Sequence, residues 1–503
     1  MNKLSRRQFL LDATAVPLAL WLPGSAALAQ AAPLVRHDIA SPEGAAMLEV
    51  YANAIRAMRT RSQTDPLGWQ WQWYTHFVNG TTNKAAELTR LFGTTPSARR
   101  ALADEIWNTC QPHSGQNANF FFPWHRMYTY YIERIVRRVS GVANFTMPYW
   151  DYTSSDPARR GVVPGQFRLP NHPVYGVLYR AERNPLANAG LPIHRDQPGD
   201  AMNMDDAMAR VRYETIGAVQ GFCRAVDSGI HGRIHTLVGN TRGMGNVPYA
   251  ANDPLFLVHH SNVDRMWVSW IRNGHSNPTD ATLSPWITGA FALVDSNGAR
   301  VSRQCRELFS ASQMGYVYSR YLPPPPAPAS LAAATAAARA GAGAGVASRI
   351  AAASAPARLG TTATTVRLLR RSGARPTEVL GLDPGSGRAL LVLAKLHAWQ
   401  QPGVLYHVYV SNQPDGPRDA GHYAGAINFF DAQFHAHGGG SRLDEALGEN
   451  FQSFDVTSVL QAIAARPHGS EASERLYVSF VPGGTPLAGA DPMVAKIELV
   501  LQS

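Results

Sequence analysis

Cysteine is scarce in this sequence. Only three cysteines, Cys110, Cys223 and Cys305, occur among 503 residues. A small and odd number excludes a complete disulfide framework of the kind that stabilises small secreted domains. The count leaves room for one bridge and one free or modified cysteine. A chain of this length has to rely on buried apolar cores instead, and it is long enough for two domains.

Charged residues are also few. Asp, Glu, Lys and Arg make up 16% of the chain, and the formal net charge is +10. The arginines occur in scattered pairs such as Arg99-Arg100 and Arg370-Arg371, without a basic stripe interleaved with aromatic residues. This pattern argues against a nucleic-acid partner. A hydrophobic content of 45%, with 11 Trp, 18 Tyr and 18 Phe, is typical of a globular protein with a well-filled interior.

Beyond its first residues the sequence has no apolar run long enough to cross a membrane, so we expect no membrane span in the mature chain. Residues 1–29 have the pattern of a cleavable export signal, with Arg6-Arg7, an apolar stretch and the small-x-small end Ala27-Leu28-Ala29. The paired arginines predict the twin-arginine route and a periplasmic or extracellular location. An ordinary secretory signal or a membrane anchor is the alternative, although Asp12 interrupts the apolar stretch.

The composition changes twice along the rest of the chain. Residues 33–321 carry helical periodicity, most of the aromatic residues and the dense histidine clusters. Residues 322–360 begin with four prolines and continue rich in Ala and Gly, which predicts a linker. Residues 361–503 contain short runs that alternate with period two, which predict a small antiparallel β-sandwich. The expected fold class is α+β, with a mainly helical domain followed by a β domain.

Three histidine clusters lie in the helical part, each among aromatic residues. His231 and His235 are four residues apart, so on a helix they share one face and can reach the same metal ion. His125 begins an aromatic amphipathic segment, and His260 begins another, with Asp264 one turn later. Clustered imidazoles without a matching set of cysteines or carboxylates favour copper over structural zinc or non-haem iron. The alternative is a secreted binding protein in which these histidines only pack in the core.

Two longer segments resemble the copper signatures of a known family, the type-3 dicopper proteins, and specifically its tyrosinases and catechol oxidases (polyphenol oxidases). The segment Phe121–Arg126, followed by Glu133, resembles the first signature, and the segment Asp253–His260, followed by Asp264, resembles the second. The resemblance covers about residues 69–318. It implies a mainly helical catalytic domain whose four-helix-bundle core holds two copper ions.

The resemblance also implies which side chains bind the copper ions. Six histidines are the implied ligands, three for each ion: His76, His113 and His125 for the first, and His231, His235 and His260 for the second. In the adjacent pair His259-His260, the spacing of the signature to Asp264 selects His260. His259 is then a neighbour in the pocket wall or a packed core residue.

Some positions depart from the family pattern. Eleven residues separate His113 from His125, more than the family usually has. Cys110 lies three residues before His113, where some members have a cysteine joined to that histidine by a thioether; a free buried thiol is the alternative. Asp227 precedes His231 where the family often has a carboxylate that orients a catalytic water, and an N-cap of the helix is the alternative. Gly232 stands where strong monophenol hydroxylases often have Asn.

The resemblance implies an enzyme that acts on small phenols with O₂. We expect oxidation of o-diphenols to o-quinones, with O₂ reduced to water, and ortho-hydroxylation of monophenols such as tyrosine as a further activity. An o-aminophenol oxidase and a haemocyanin-like oxygen carrier are the alternatives. In plant-type relatives a C-terminal domain covers the copper site, so residues 361–503 are expected to cover it here. An aromatic residue from Phe429 to Phe434 is the expected plug.

Overall fold

The computed structural model describes six stretches of the chain. They are residues 32–110, 115–326, 347–370, 387–432, 451–465 and 475–502, without the side chains of 115–117 and 347. Several predictions fall outside the described residues: the export signal over 1–29, the ligand His113, the aromatic Phe434, and residues 327–346 of the linker.

Helices dominate the first part of the chain. In the described residues they are α1 Pro42–Arg59, α2 Trp69–His76, α3 Lys84–Phe92, α4 Ala98–Ile106, α5 Phe121–Ser140, α6 Pro185–Ala189, α7 Asp205–Met208, α8 Phe222–Ala225, α9 Gly232–Val238, α10 Val247–Ala250, α11 Leu255–Arg272 and, much later, α12 Thr457–Ala464. Local signals set their ends. Ser41 caps α1 by accepting a hydrogen bond from the Gly44 amide at 3.0 Å, and α5 ends at Gly141, whose φ of 74° favours glycine. None of the described helices is long and apolar enough to cross a membrane.

The predicted helical core is confirmed. Helix α5 packs against α1 and α11, and residues such as Phe122, Trp124 and Met127 on α5 are fully buried. Burying each large apolar side chain stabilises the fold by roughly 1.5–3 kcal/mol. The narrower prediction of a four-helix bundle stays a prediction.

A buried charge network joins the start and the end of the helical part. Strand β1 (Leu34–Arg36) pairs in parallel with strand β4 (Tyr316–Tyr318). Arg36 is fully buried and donates from Nε to Glu133 at 2.9 Å and from Nη1 to Asp264 at 3.1 Å. Because an unpaired buried charge is costly, these partners fix the mutual placement of β1, α5 and α11. Between α11 and β4 in the sequence, β2 (Ala290–Val294) and β3 (Arg300–Gln304) form an antiparallel hairpin.

The later strands form one nine-stranded sheet in which all pairs are antiparallel. They are β5 Ala347–Ala353, β6 Ala357–Arg358, β7 Thr364–Arg370, β8 Arg388–His397, β9 Tyr406–Ser411, β10 Tyr423–Ile427, β11 Phe451–Asp455, β12 Leu476–Pro482 and β13 Met493–Gln502. The order is β10-β9-β12-β7-β5-β13-β8-β11, with β6 also on β13.

The predicted β-sandwich is wrong, because this single sheet curls into a nearly closed barrel. Its two end strands, β10 and β11, contact each other. The ring of Phe454 on β11 lies against Gly425 on β10, where a Cβ atom would come within 2.3 Å of the ring. Alternation with period two is the same in a sandwich and in a barrel, since both have one buried face for each strand. The alternation therefore could not distinguish the two.

Strands β5 and β6 lie inside the range 322–360 that its composition assigned to a linker. Their many alanines have little intrinsic preference for strands, and β5 is held by pairing with β13 on one side and β7 on the other. Long-range pairing thus decides the structure of this segment. The domain limits at 321 and 361 stay predictions.

Candidate metal centre

The first histidine cluster contains His76, Cys110 and His125. Their candidate ligand atoms lie within 4.8 Å of one another, and all three residues are buried. His76 is the last residue of α2, and His125 lies in the first turns of α5. The Nδ1 atom of His125 is 2.8 Å from the carbonyl oxygen of Phe121 and donates to it, which leaves Nε2 as the nitrogen that could bind a metal.

The second cluster contains four buried histidines, with candidate ligand atoms also within 4.8 Å of one another: His231, His235, His259 and His260. His231 ends a π-helical turn over Val226–His231, and His235 lies on α9, which follows directly. Nδ1 of His235 donates to the carbonyl oxygen of Met244 at 2.7 Å. The sequence spacing of four residues therefore does place His231 and His235 on one side of the chain, with ring centroids 4.6 Å apart.

The two clusters meet through His125 and His260. Their rings are parallel, with an angle of 3° between planes and centroids 4.1 Å apart. His231 is also near, at 6.1 Å from His125 and 5.2 Å from His260 between ring centroids. Helices α5 and α11, which carry the two sequence signatures, thus deliver imidazoles to one shared space.

The electrostatics of this space suit a metal with nitrogen ligands. Burial, reinforced by the neighbouring histidines, holds the pKa values of His235, His259 and His260 well below the ordinary value, so these rings are neutral at physiological pH. Among the described residues, Nε2 of His235 and both ring nitrogens of His259 and His260 are buried and have no hydrogen-bond partner. Buried polar atoms normally find partners. Neutral imidazoles with orphaned nitrogens fit a bound metal ion.

Five of the six sequence-predicted ligands are thus brought together: His76, His125, His231, His235 and His260. His113 lies outside the described residues. His259 is the additional member. Its ring stacks on His231 at 5.5 Å and 12°, and it lies 4.9 Å from His235, so geometry alone admits either member of the adjacent pair as a ligand.

Asp227 lies behind His231. Its Oδ1 atom is 3.2 Å from Nδ1 of His231, and its Oδ2 atom accepts a hydrogen bond from Arg224 at 3.2 Å. Its carboxylate is fully buried. The alternative role as a helix N-cap is wrong, because Asp227 lies within the π-helical turn and the residue before that turn is Ala225. A carboxylate at Nδ1 orients an imidazole whose opposite nitrogen binds a metal.

Sequence reasoning missed Asp431. This residue comes from the barrel part of the chain, yet a carboxylate oxygen lies within 4.8 Å of candidate ligand atoms of Asp227 and His231. No local motif marks it, because it is far from both residues in sequence. Cys110 was singled out as a thioether candidate. Its Sγ atom is 3.5 Å from Nε2 of His125.

A phenylalanine from the barrel covers the second cluster. The Phe430 ring stacks on His235 with centroids 4.0 Å apart and an angle of 8°, and it meets His231 edge-on at 5.6 Å. The turn that carries it is held from both sides. Gln401 donates to the carbonyl oxygens of Phe429 and Phe430 at 3.0 Å each, and Asn428 donates to the carbonyl oxygen of Ser228 at 2.8 Å.

Comparisons with known proteins agree with this geometry. Residues 66–273 match the family model described as the common central domain of tyrosinase. Tyrosinase HcTyr1 of Hahella sp. (strain CCB-MM4) is 30% identical over 303 residues, which are 55% of this chain and 61% of that protein. A chloroplastic polyphenol oxidase of Malus domestica is 27% identical over 226 residues, 40% of this chain and 37% of that protein. The chain thus spans less than two thirds of the length of these curated relatives.

Solved structures share the fold. The structure of a recombinantly expressed latent aurone synthase (polyphenol oxidase) gives a TM-score of 0.61 at 20% identity, covering 94% of this chain and 90% of that one. Latent apple tyrosinase gives 0.59 at 21% identity, covering 94% and 98%. Both signatures lie within the matched central domain, and the histidines that they carry meet in the structure. Residues 66–273 of this chain are therefore a central domain of the tyrosinase type, and the chain has the fold of the latent polyphenol oxidases.

Proposed function

We propose that this protein oxidises o-diphenols to o-quinones, with two diphenol molecules giving four electrons and four protons to one O₂ to form two molecules of water. The observation that carries the proposal is the meeting of two buried clusters of imidazoles at His125 and His260, 4.1 Å apart. Relatives named tyrosinase and polyphenol oxidase support the same chemistry. Orthohydroxylation of monophenols is proposed as a minor further activity.

We assign two copper ions to the two clusters. The proposed ligands are His76, His113 and His125 for the first ion, and His231, His235 and His260 for the second. Bound copper would supply the redox chemistry with O₂. In this proposal α2, α5, α9 and α11 form the four-helix-bundle core of a catalytic domain over residues 33–321.

The chain itself fixes the orientation of the ligands. Backbone carbonyl oxygens of Phe121 and Met244 accept from Nδ1 of His125 and His235. The main-chain carbonyl oxygen of Asp227 accepts from Nδ1 of His231 at 3.2 Å, and Oδ1 of Asp227 lies 3.2 Å from the same nitrogen, so we assign Asp227 a positioning role rather than the water-orienting role. The Asp227 carboxylate lies at Nδ1 of His231, on the side of the ring opposite the nitrogen that would bind copper, and Gly232 follows His231. We therefore favour oxidation of o-diphenols over hydroxylation of monophenols.

The barrel part is proposed to cover the site in the full-length chain. Phe430 fills the space beside His235 and His231 in which a phenol ring would have to lie to reach the second ion. An aromatic ring on an imidazole also mimics how a phenol could stack there. Residues 361–503 with strands β5 and β6 are therefore a cover, and residues between 323 and 346 are the segment in which a cut would release it.

Export by the twin-arginine route is proposed from Arg6-Arg7 and the apolar stretch that follows. That route carries folded proteins, which suits a chain that acquires copper before export. Fusing residues 1–31 to a reporter that is active only when folded before export tests this assignment. Replacing both arginines by lysine should abolish export of the reporter.

Oxygen uptake tests the proposed reaction. We expect catechol to be consumed with a stoichiometry of two molecules for each O₂, faster than tyrosine, and faster after cleavage between 323 and 346 than before. Reversible binding of O₂ without quinone formation from either form would instead identify an oxygen carrier. Faster turnover of o-aminophenol than of catechol would favour the aminophenol oxidase.

A further inference from the structure

One cavity is lined by three arginines and by none of the clustered histidines. Its volume is about 500 Å³, within the range of small-molecule sites. Its lining comprises Arg59, Tyr179, Arg180, Ala181, Glu182, Arg242, Gly243, Tyr249, Asn252 and Asp253. We call it the arginine cavity. Three guanidinium groups in one concave space point to a ligand with negative charge.

The guanidinium groups of this cavity lack carboxylate partners. No ion pair joins Arg59, Arg180 or Arg242 to a carboxylate within the described part of the chain. Arg59 donates to the carbonyl oxygen of Val177 at 3.3 Å, while its Nη2 atom is buried and has no hydrogen-bond partner in the parts of the chain that the structure describes. Arg180 donates only to backbone carbonyl oxygens, among them that of Asn252 at 3.3 Å. Burial, with the nearby charge of Arg183, lowers the pKa of Arg180, while Asp253 and Glu182 act on this pKa in the opposite direction.

The carboxylates in the lining do not neutralise these charges. Asp253 is bound by the buried Arg183 through two hydrogen bonds, at 2.8 Å from Nε and 2.7 Å from Nη2. Glu182 is exposed. The lining thus has three arginines and, apart from the Asp253 carboxylate that pairs with Arg183, one carboxylate, that of Glu182. The difference is two positive charges. A dianion matches this excess better than a monoanion.

We propose that the arginine cavity binds a small organic phosphate monoester. A phosphate monoester carries about two negative charges at neutral pH and offers oxygens for several guanidinium donors at once. The cavity is much larger than a phosphate group, and Tyr179 and Tyr249 provide ring surface for an organic part. Arg242 and Gly243 in its wall directly precede Met244, whose carbonyl oxygen accepts from His235. A ligand there would contact the loop that orients this histidine.

Calorimetric titration of the copper-loaded full-length chain with glycerol phosphate tests the proposal. We expect one saturable site and about tenfold weaker binding in Arg242→Gln, from the loss of one charged hydrogen bond. The side chain of Arg242 is exposed and makes no hydrogen bond within the described residues, so this variant should fold normally. Arg180→Gln should weaken binding at least as much.

Arg56→Gln is the matched control. Arg56 lies on α1 like Arg59 and also donates to loop carbonyl oxygens, those of Pro173 and Val174, but it does not line the cavity. Unchanged binding in this variant supports the site. Absence of saturable binding, or equal weakening in Arg56→Gln and Arg242→Gln, overturns it. If succinate binds as tightly as glycerol phosphate, the site is not selective for phosphate. If inorganic phosphate binds as tightly as glycerol phosphate, the organic part of the ester is not recognised.

Discussion

The ring of Phe430 stacks on the imidazole of His235, with centroids 4.0 Å apart and planes only 8° from parallel. The two residues are almost 200 positions apart, and one belongs to the barrel while the other belongs to the helical core. This contact is the basis of the proposal that the barrel part covers the second histidine cluster. Several expected outcomes depend on it.

Phe430→Ala should raise the rate of catechol oxidation by the uncut chain at low substrate concentration, by about tenfold or more. Removing the ring vacates the space beside His235 without removing a proposed ligand. Initial rates of oxygen uptake measure the effect, and the chain cut between 323 and 346 should show little difference between the variant and the original. Phe429→Leu is the control, because Phe429 packs against Tyr406 inside the barrel. Equal activation by both variants would contradict a specific role of Phe430.

Gly232→Asn should also activate the uncut chain. A Cβ atom at Gly232 would lie 2.3 Å from Oδ1 of Asn428, so a larger side chain forces the covering turn away. In the chain cut between 323 and 346 the turn no longer has to be displaced, so there Gly232→Asn should change the rate of catechol oxidation little. Oxygen uptake with catechol by the variant and by the original chain, each before and after cutting, checks this. A Gly232→Asn chain that stays as inactive as the original when uncut would show that the turn accommodates the clash.

Asp227→Asn should weaken copper binding at the second cluster by up to roughly 10-fold, because the negative charge 3.2 Å from Nδ1 of His231 is lost while the main-chain carbonyl oxygen of residue 227 still accepts from that nitrogen. Titration of the copper-loaded chain with a chelator measures the loss of the second ion. The control is Asp206→Asn, which removes a carboxylate that pairs with Arg210 near the surface. If copper retention is unchanged while only hydroxylation of tyrosine is lost, Asp227 acts on the substrate water instead.

His260→Asn should leave one copper ion for each chain, whereas His259→Asn should keep two. The assignment of His260 rests on the spacing of the second signature to Asp264, because both histidines lie in the same cluster and the geometry admits either one. Metal analysis after dialysis distinguishes the variants, and circular dichroism confirms that both fold. The reverse pattern would move the ligand assignment to His259.

Acid should weaken the contact between the barrel and the helical part through His407. Its Nε2 atom donates to Gln197 at 2.9 Å, its Nδ1 atom accepts from Tyr423 at 3.2 Å, and burial lowers its pKa from 6.5 to about 4. As the pH falls, His407 therefore binds a proton at a higher pH in the unfolded chain than in the folded chain. The contribution of His407 to the free energy of unfolding is fully present above about pH 6.5, and about 3 kcal/mol of it in total is lost as the pH approaches 4.

The pH dependence of urea unfolding checks this, with His407→Gln as the comparison, since the amide of Gln can still donate to Gln197. The positive charge of Arg233 lies near Tyr423, the partner of His407, and should oppose protonation of His407 in the folded chain. The variant should lose less stability than the original between pH 6.5 and 4. Parallel curves for the two chains would assign the acid sensitivity to other groups.

Much of the candidate site could be predicted because its signals are local. The segments Phe121–Arg126 and Asp253–His260 each combine a histidine with a fixed pattern of neighbours, and the spacing of His231 and His235 is a property of one helical turn. Contacts between distant segments carry no such local pattern. Asp431 and Asn428 could not be found for this reason, and the closure of the barrel at Gly425 and Phe454 was missed for the same reason.

The amino-acid sequence by itself indicated the tyrosinase-like central domain, the helical core and five of the histidines that meet in the centre, because periodicity and short motifs act over one or two turns of chain. Only the tertiary structure decided that the strands form a barrel, that Asp227 lies behind His231, and that Phe430 rests on His235. These outcomes depend on how separate elements pack, since contacts and hydrogen bonds between distant segments form only in the folded tertiary structure.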